Sequence, residues 1–453
     1  MNPYCSSLTM AEVVPVVPSH ASPTKQPPKI TSIKILAESP DLITIPASYT
    51  FTPNSHDLVV SDTEGAIPVI DYSLLISSSP DHRSKIIHDL GKACQEWGFF
   101  MVINHGVPEK LMRSMIDACK GFFDLSEEEK QEYTGSHVLD PIRCGTSFNT
   151  SVEKVFCWRD FLKVFVHPVF HSPSKPVGLS DTMLEYSKRV KEVARELLKG
   201  ISESLGLEAD YIENALNFER GLQINIANYY PPCTEPELAM GLPCHSDHGL
   251  LTLLIENGVS GLQVQHKGKW VNLNSIPNSF LVNTGDHLEI LSNGKFKTIL
   301  HRAVVNKNNT RISIAMAHGP SLDTVVSPAP ELLDRESKAP AYIGIKYEEY
   351  VNLQQSNKLD GKSCLDRVRK MIWKIDYASC ENFSTREFGF QVLQRLLAIP
   401  RGLFTLYKGA RIIISKQQNC RCQIEGLFTL YLSAVCYFKI DTKCKRKREV
   451  EEE

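Results

Sequence analysis

No run of the 453 residues is apolar over the ~20 positions that a bilayer-spanning helix needs. The longest candidate, residues 426–438, is too short, so no membrane partner is expected. The N-terminus has no basic stretch followed by an apolar one, so no secretory signal is read there. Charge of one sign is also lacking: 50 Lys and Arg against 52 Asp and Glu leave a net charge of −2. That balance offers nothing to nucleic acid or to an anionic surface. The 13 cysteines are odd in number and follow no framework spacing, which excludes a disulfide scaffold and suits reduced thiols in the cytoplasm. What is present is ordinary for a globular protein: 42% hydrophobic and 23% charged residues. The length allows two or three domains, or one large domain with tails.

Residues 1–65 are rich in Pro, Ser and Thr without periodicity and read as a flexible or loosely docked tail. An N-terminal region, 66–180, opens on the short strand Ile67-Pro68-Val69-Ile70-Asp71. Ile86, Leu90, Ala93, Cys94 and Trp97 then recur at helical spacing. Phe99 to Ile103 reads as a buried strand, and Pro108 opens a helix whose apolar face includes Leu111, Met115, Cys119 and Phe122. Ser126 and Glu129 fit a capping box. Residues 134–180 read as one long irregular loop.

A third region, 181–325, begins with a helix capped at Ser180-Asp181 and running to Gly206. Its core, about 219–320, changes period from 3.6 to 2. Leu222, Ile224 and Ile226 alternate with Gln223, Asn225 and Ala227, and short strands follow over 250–255, 261–265, 270–273, 279–283, 298–305 and 311–316. Turn signals such as Asn257-Gly258 and Asn293-Gly294 divide them. Many short strands at this spacing predict a sandwich or barrel, a mostly β core with flanking helices. Residues 326–371 return to loop and helix. Residues 372–453 form an atypical extension that repeats Gly-Leu-Phe-Thr-Leu-Tyr at 402–407 and 426–431 and carries a basic run at Lys443–Arg448.

Within the β-rich core stand His245-Ser246-Asp247, then His301 54 residues after Asp247, and Arg311-Ile312-Ser313 ten residues after that. Residues i and i+2 of a strand face the same side, so His245 and Asp247 can share one metal with His301 supplied by another strand. Two imidazoles and a carboxylate on one face suit Fe(II) and leave positions open. Arg311 offers a planar fork for a carboxylate, with the Ser313 hydroxyl beside it. A buried pair of this kind is costly without an anion, and a dicarboxylate bridging metal and arginine would supply one.

Several runs resemble the plant 2-oxoglutarate- and Fe(II)-dependent dioxygenases. They are Asn228-Tyr229-Tyr230-Pro231-Pro232-Cys233, His245-Ser246-Asp247, Gly261-Leu262-Gln263-Val264, Asn283-Thr284-Gly285-Asp286, His301-Arg302-Ala303-Val304 and Arg311-Ile312-Ser313. Trp97-Gly98-Phe99-Phe100 and Asn104-His105-Gly106 match the N-terminal part of the same family, and the likeness covers residues 66–370. It implies a double-stranded β-helix (jelly roll) with an N-terminal α/β region. It also implies Fe(II), 2-oxoglutarate and O₂ as cofactors, with ascorbate helpful, and Asn228 and Tyr230 as further 2-oxoglutarate contacts. The implied reaction decarboxylates 2-oxoglutarate to succinate and CO₂ while a small molecule is hydroxylated or desaturated. The wording His245-Ser246-Asp247-His248-Gly249 and Trp158-Arg159-Asp160-Phe161-Leu162 is similar to the flavanone 3-dioxygenase-like and salicylate-hydroxylase-like (downy-mildew-resistance type) subgroup, which implies an aromatic, phenylpropanoid or flavonoid-type substrate. The alternatives are a salicylate or gibberellin hydroxylase, or a non-catalytic small-ligand-binding protein on the same scaffold.

Other features have plainer readings. His248, His266, His287 and His318 are expected to be structural or exposed. Cys244 reads as a small buried residue, and Phe99, Phe100, Phe122 and Phe123 as core. Trp158 to Leu162 either lines the substrate mouth or packs. Cys420-Arg421-Cys422 lacks a second pair at zinc spacing. The Lys443–Arg448 run reads as a solvated end, with nuclear import as its other reading. A monomer is expected.

Overall fold

The computed structural model describes residues 32–52, 67–77, 79–357 and 360–370, together with two short strands, Phe428–Leu430 and Ala434–Cys436, which pair antiparallel. The rest of the extension after residue 370, including the first copy of the repeat, the Cys420-x-Cys422 pair and the basic run, lies outside the described residues, as do residues 1–31.

Strand alternation sorts the side chains of the core into two layers. Along Arg311–His318, residues Ile312, Ile314 and Met316 enter the main hydrophobic core, while Arg311, Ser313 and Ala315 line an internal cleft. The neighbouring strand Gln223–Tyr230 does the same, with Ala227 and Tyr229 outward and Ile226, Asn228 and Tyr230 inward. Twelve strands carry this pattern in two sheets. In chain order they are β1 (Val69–Asp71), β2 (Phe99–Ile103), β3 (Ile142–Thr146), β4 (Asp160–His167), β5 (Gln223–Tyr230), β6 (Leu242–His245), β7 (Leu251–Glu256), β8 (Leu262–His266), β9 (Lys269–Leu273), β10 (Phe280–Thr284), β11 (His301–Ala303) and β12 (Arg311–His318). The large sheet runs β1-β2-β10-β7-β12-β5-β4-β3 and the small one β6-β11-β8-β9. All pairs are antiparallel except β1 with β2. This is the double-stranded β-helix that the resemblance implies, and it is of the sandwich or barrel kind that the strand spacing predicts.

Three amphipathic helices cover the outer face of the large sheet. They are Pro80–Glu96, Glu109–Phe123 and Leu179–Ser204, which bury Leu90 and Cys94, Met115 and Phe122, and Leu197 and Ile201 respectively. Their apolar stripes meet Leu253, Phe280 and Ile314 in one cluster, so the sheet is dry on this side. The capping box at Ser126 and Glu129 is formed.

Three expectations are corrected and one element is added. The supposed irregular segment 134–180 contains β3 and the eight-residue β4, paired Ile142↔Val164 to Thr146↔Asp160. Lys163 hides β4 from a polarity reading, because it points inward while Leu162 and Val164 point to the core. The long helix starts at Leu179 after Gly178, whose φ of 85° places it in the left-handed region, so Ser180 and Asp181 sit inside the first turn and not at its cap. The helix Asp286–Leu291 was not foreseen. Finally, residues 32–52 are part of the fold and not of a loose tail. Ser32 Oγ and the amides of Ile33 and Lys34, at the start of the short helix Ile33–Ala37, donate to the Asp160 carboxylate over 2.6–2.9 Å. Ile33, Ile45 and Tyr49 then pack on Trp158, Tyr230 and Val305.

Candidate metal centre and cosubstrate cleft

β6 and β11 are adjacent, and their register sets His245 directly against His301. Asp247 lies two residues past the end of β6, on the turn that leads to β7, and not on the strand as the i, i+2 argument assumes. The turn still brings it to the histidines. One ligand atom from each of His245, Asp247 and His301 falls within 4.8 Å of the others. Asp247 Oδ1 is 3.7 Å from His245 Nε2 and 3.6 Å from His301 Nε2.

The groups behind these atoms orient them. The Nδ1 atoms of His245 and His301 lie 2.7 Å and 3.1 Å from the carbonyls of Pro243 and Ile299. With Nδ1 donating to a carbonyl, each Nε2 carries its lone pair toward Asp247, which is the form a metal requires. The other carboxylate oxygen, Asp247 Oδ2, accepts from Thr252 Oγ1 at 2.7 Å and from Asn283 Nδ2 at 2.9 Å. Burial, with His301 alongside, pushes the His245 imidazole down to about 3, so it is neutral at pH 7. Burial acts to raise the Asp247 carboxyl, but the two imidazoles and the bonds from Asn283 and Thr252 bring it to about 2. A neutral His245, a His301 ring held by its Nδ1 contact and an ionised Asp247 carboxylate fit a divalent iron.

All of the residues singled out in the sequence for cosubstrate binding reach the same cleft: Asn228, Tyr230, Arg311 and Ser313. Arg311 is buried and pairs through Nη2 with Glu256 Oε2 at 2.8 Å. A protein carboxylate therefore already meets one edge of the guanidinium, so Arg311 does not depend on a ligand for its charge balance. Its Nη1 is turned to Ser313 Oγ at 3.4 Å, and Tyr230 lies under the guanidinium with its ring centre 5.2 Å away. Asn228 Nδ2 donates to the same Ser313 Oγ at 3.4 Å. Gly261 lets Arg311 lie close, since a Cβ there would sit 2.7 Å from Arg311 Cδ and 2.8 Å from the Val304 carbonyl.

Other residues that sequence reasoning left unassigned support the site, and Thr252 and Asn283 also line the cleft. Thr252, Asn283 and Glu256 fix the ligands named above, and only Asn283 stood in a recognised run. Along β4 and the two residues before it, Arg159, Phe161 and Lys163 line the cleft while Trp158 and Leu162 pack away from it, so both readings of that stretch hold, each for alternate residues. His248, His287 and His318 are buried, and His266 stacks on Trp97 with ring centres 3.7 Å apart. Among the described residues, no helix is long and apolar enough to cross a membrane.

Residues 221–320 match the model of the 2OG-Fe(II) oxygenase superfamily, and residues 67–184 match that of the N-terminal region of the non-haem dioxygenases of morphine synthesis. The chain is 50% identical over 306 residues to 2-oxoglutarate-dependent dioxygenase 19 of Oryza sativa, covering 67% of this chain and 90% of that protein. It is 39% identical to flavanone 3-dioxygenase 2 of the same species, covering 69% and 90%. A crystal structure of JOX2 in complex with 2OG, Fe and JA superposes with a TM-score of 0.68 at 29% identity, covering 76% of this chain and 98% of that one. The protein is thus a member of the 2OG-Fe(II) oxygenases, a plant-type 2-oxoglutarate-dependent dioxygenase whose cofactors are Fe(II) and 2-oxoglutarate.

Proposed function

We propose that the chain oxidises a small aromatic metabolite of phenylpropanoid or flavonoid type, by hydroxylation or desaturation, with release of succinate and CO₂. In this reading His245, Asp247 and His301 hold the iron, and Arg311, Ser313, Tyr230 and Asn228 hold 2-oxoglutarate. The observation that carries it is the cleft itself. Part of its wall is apolar and aromatic, with Phe148, Phe161, Ile226 and Leu281 facing inward. Such a wall suits a flat apolar body and excludes water from the reacting atoms. Likeness to a flavanone 3-dioxygenase supports the same class.

Fe(II) in this family couples the oxidative decarboxylation of 2-oxoglutarate by O₂ to oxidation of the second substrate. The chain supplies the orientation. Thr252 and Asn283 keep one Asp247 oxygen occupied so that the other faces the imidazoles. Glu256 fixes one edge of Arg311 so that the other can meet a carboxylate. The test is succinate release from Fe(II)-loaded protein given 2-oxoglutarate with flavanones, salicylate or gibberellin precursors. Stimulation by aromatic compounds above the no-substrate rate is expected. Stimulation confined to the diterpenes would overturn the aromatic reading.

A further inference from the structure

We propose that Arg143, Arg159 and Lys163 form an anion subsite in the cleft, and that the molecule oxidised carries a carboxylate seated against them. This rests on the reading that the cleft takes the oxidised substrate, and it narrows that substrate to an aromatic acid.

The three cations belong to the paired edge strands of the large sheet and the residue just before β4. Arg143 on β3 stands directly across from Lys163 on β4, and all three side chains line the cleft. Like charges directly opposite on an antiparallel pair repel. Such an arrangement is ordinarily relieved by a carboxylate, and here none is bonded to any of the three among the described residues. Lys163 Nζ donates to the Val138 carbonyl at 2.5 Å. Arg159 donates to Asn228 Oδ1 at 3.0 Å and to the Ser147 carbonyl, and lies over the Phe161 ring. The Nε atoms of Arg143 and Arg159 are buried with no partner. A buried donor left unpaired has lost its water without gaining a partner, which is destabilising.

The acids nearby are engaged elsewhere. Asp140 attracts Arg143 and Lys163 through space, but its carboxylate accepts from the amides of Ser136 and His137. Glu153 attracts Arg159 through space, but it is not bonded to it, and its Oε2 accepts from the Phe148 amide at 3.4 Å. Burial, and then Arg143, lower the Lys163 amine to about 7. An anion in the cleft would supply what all three groups lack. The cosubstrate does not account for it: its two carboxylates are already provided for at the iron ligands and at Arg311 with Ser313. Arg159 lies over the Phe161 ring and Phe148 lines the same cleft, so an acid held there lays its apolar body on the aromatic wall. A carboxylate matches a guanidinium edge in plane and size.

The test uses the Fe(II)- and 2-oxoglutarate-loaded protein without oxygen, titrated calorimetrically with three matched pairs: benzoate and benzamide, trans-cinnamate and trans-cinnamamide, 2-naphthoate and 2-naphthamide. At least one acid is expected to bind tenfold or more tighter than its amide. In the Arg143→Met/Lys163→Met protein that preference should fall below threefold, with the 2-oxoglutarate Kd within twofold of the parent. Arg143→Lys keeps the charge, and with it the preference, which separates loss of the subsite from loss of the fold. Equal or absent binding of acid and amide in all pairs overturns the proposal. So does a preference that survives the double substitution, or a large loss of 2-oxoglutarate affinity in its place. Oxidation of neutral flavanones in preference to aromatic acids would overturn the anion subsite while leaving the reaction itself intact. Failure of every aromatic, charged or neutral, to stimulate succinate release would instead overturn the function on which it rests.

Discussion

Two groups of buried cations share one cleft and are built in opposite ways. Arg311 is paired with Glu256, flanked by Ser313 and backed by the Tyr230 ring. It is a finished device, with one edge neutralised and the other presented. The wall of Arg143, Arg159 and Lys163 has no carboxylate bonded to it among the described residues, and two of its members oppose each other across a strand pair. The first arrangement is stable before any ligand arrives. The second pays in repulsion and unpaired donors for a ligand it awaits. The difference teaches where specificity sits: the cosubstrate end is preorganised, and the substrate end is left electrostatically incomplete.

The contrast can be broken at several points. Asp247→Ala removes the only carboxylate of the metal face, and succinate release should vanish while the circular dichroism spectrum is retained; full activity would remove Asp247 from the metal. Arg311→Ala leaves Glu256 buried and unpaired, a change that costs about 2–5 kcal/mol for a charge pair of this kind. The 2-oxoglutarate concentration for half-maximal rate should rise at least about tenfold, as 1.4 kcal/mol is a factor of ten, and an unchanged requirement would sink the clamp.

Lys163→Met sharpens the other side of the comparison. With a folded value near 7 against an ordinary 10.5, the unfolded chain binds more protons at this site between those limits. Lys163 therefore makes stability rise with pH across that window. The variant should show a flatter urea midpoint from pH 7 to pH 10 than the parent, and parallel curves would place Lys163 in water. The smallest effect belongs to Asp160→Ala. It removes the acceptor for Ser32 and the first amides of the N-terminal helix, a capping loss of about 0.5–2 kcal/mol. Faster proteolysis within residues 32–52 is the expected result, and an unchanged rate would show that the apolar contacts of Ile33, Ile45 and Tyr49 suffice.

Much of the centre was legible in the chain because it is local. His245 and Asp247 are two residues apart, as are Arg311 and Ser313, and the period-2 pattern around β5 and β12 is plain. Even there one step went wrong in its reasoning: Asp247 is placed by a turn after β6 and not by strand alternation. The segment 134–180 was misread because β4 has a lysine facing inward and apolar residues on both faces, which breaks the polarity rule that identifies a half-buried strand. The packed segment 32–52 was misread because its anchor, Asp160, lies more than a hundred residues away, and composition says nothing of partners at that range.

By itself the amino-acid sequence determined a β-rich core of sandwich or barrel type and the ligand types at their spacing, since residue identity and short-range periodicity are local properties; the jelly roll and the reaction class came through the family resemblance those local runs carry. Only the tertiary structure decided which groups stand behind the ligands, that Glu256 completes Arg311, and that three cations face the cleft with no carboxylate bonded to them among the described residues. Those facts depend on sheet order and register, which bring together residues from β3, β4, β7 and β12, and burial then sets the charge of each.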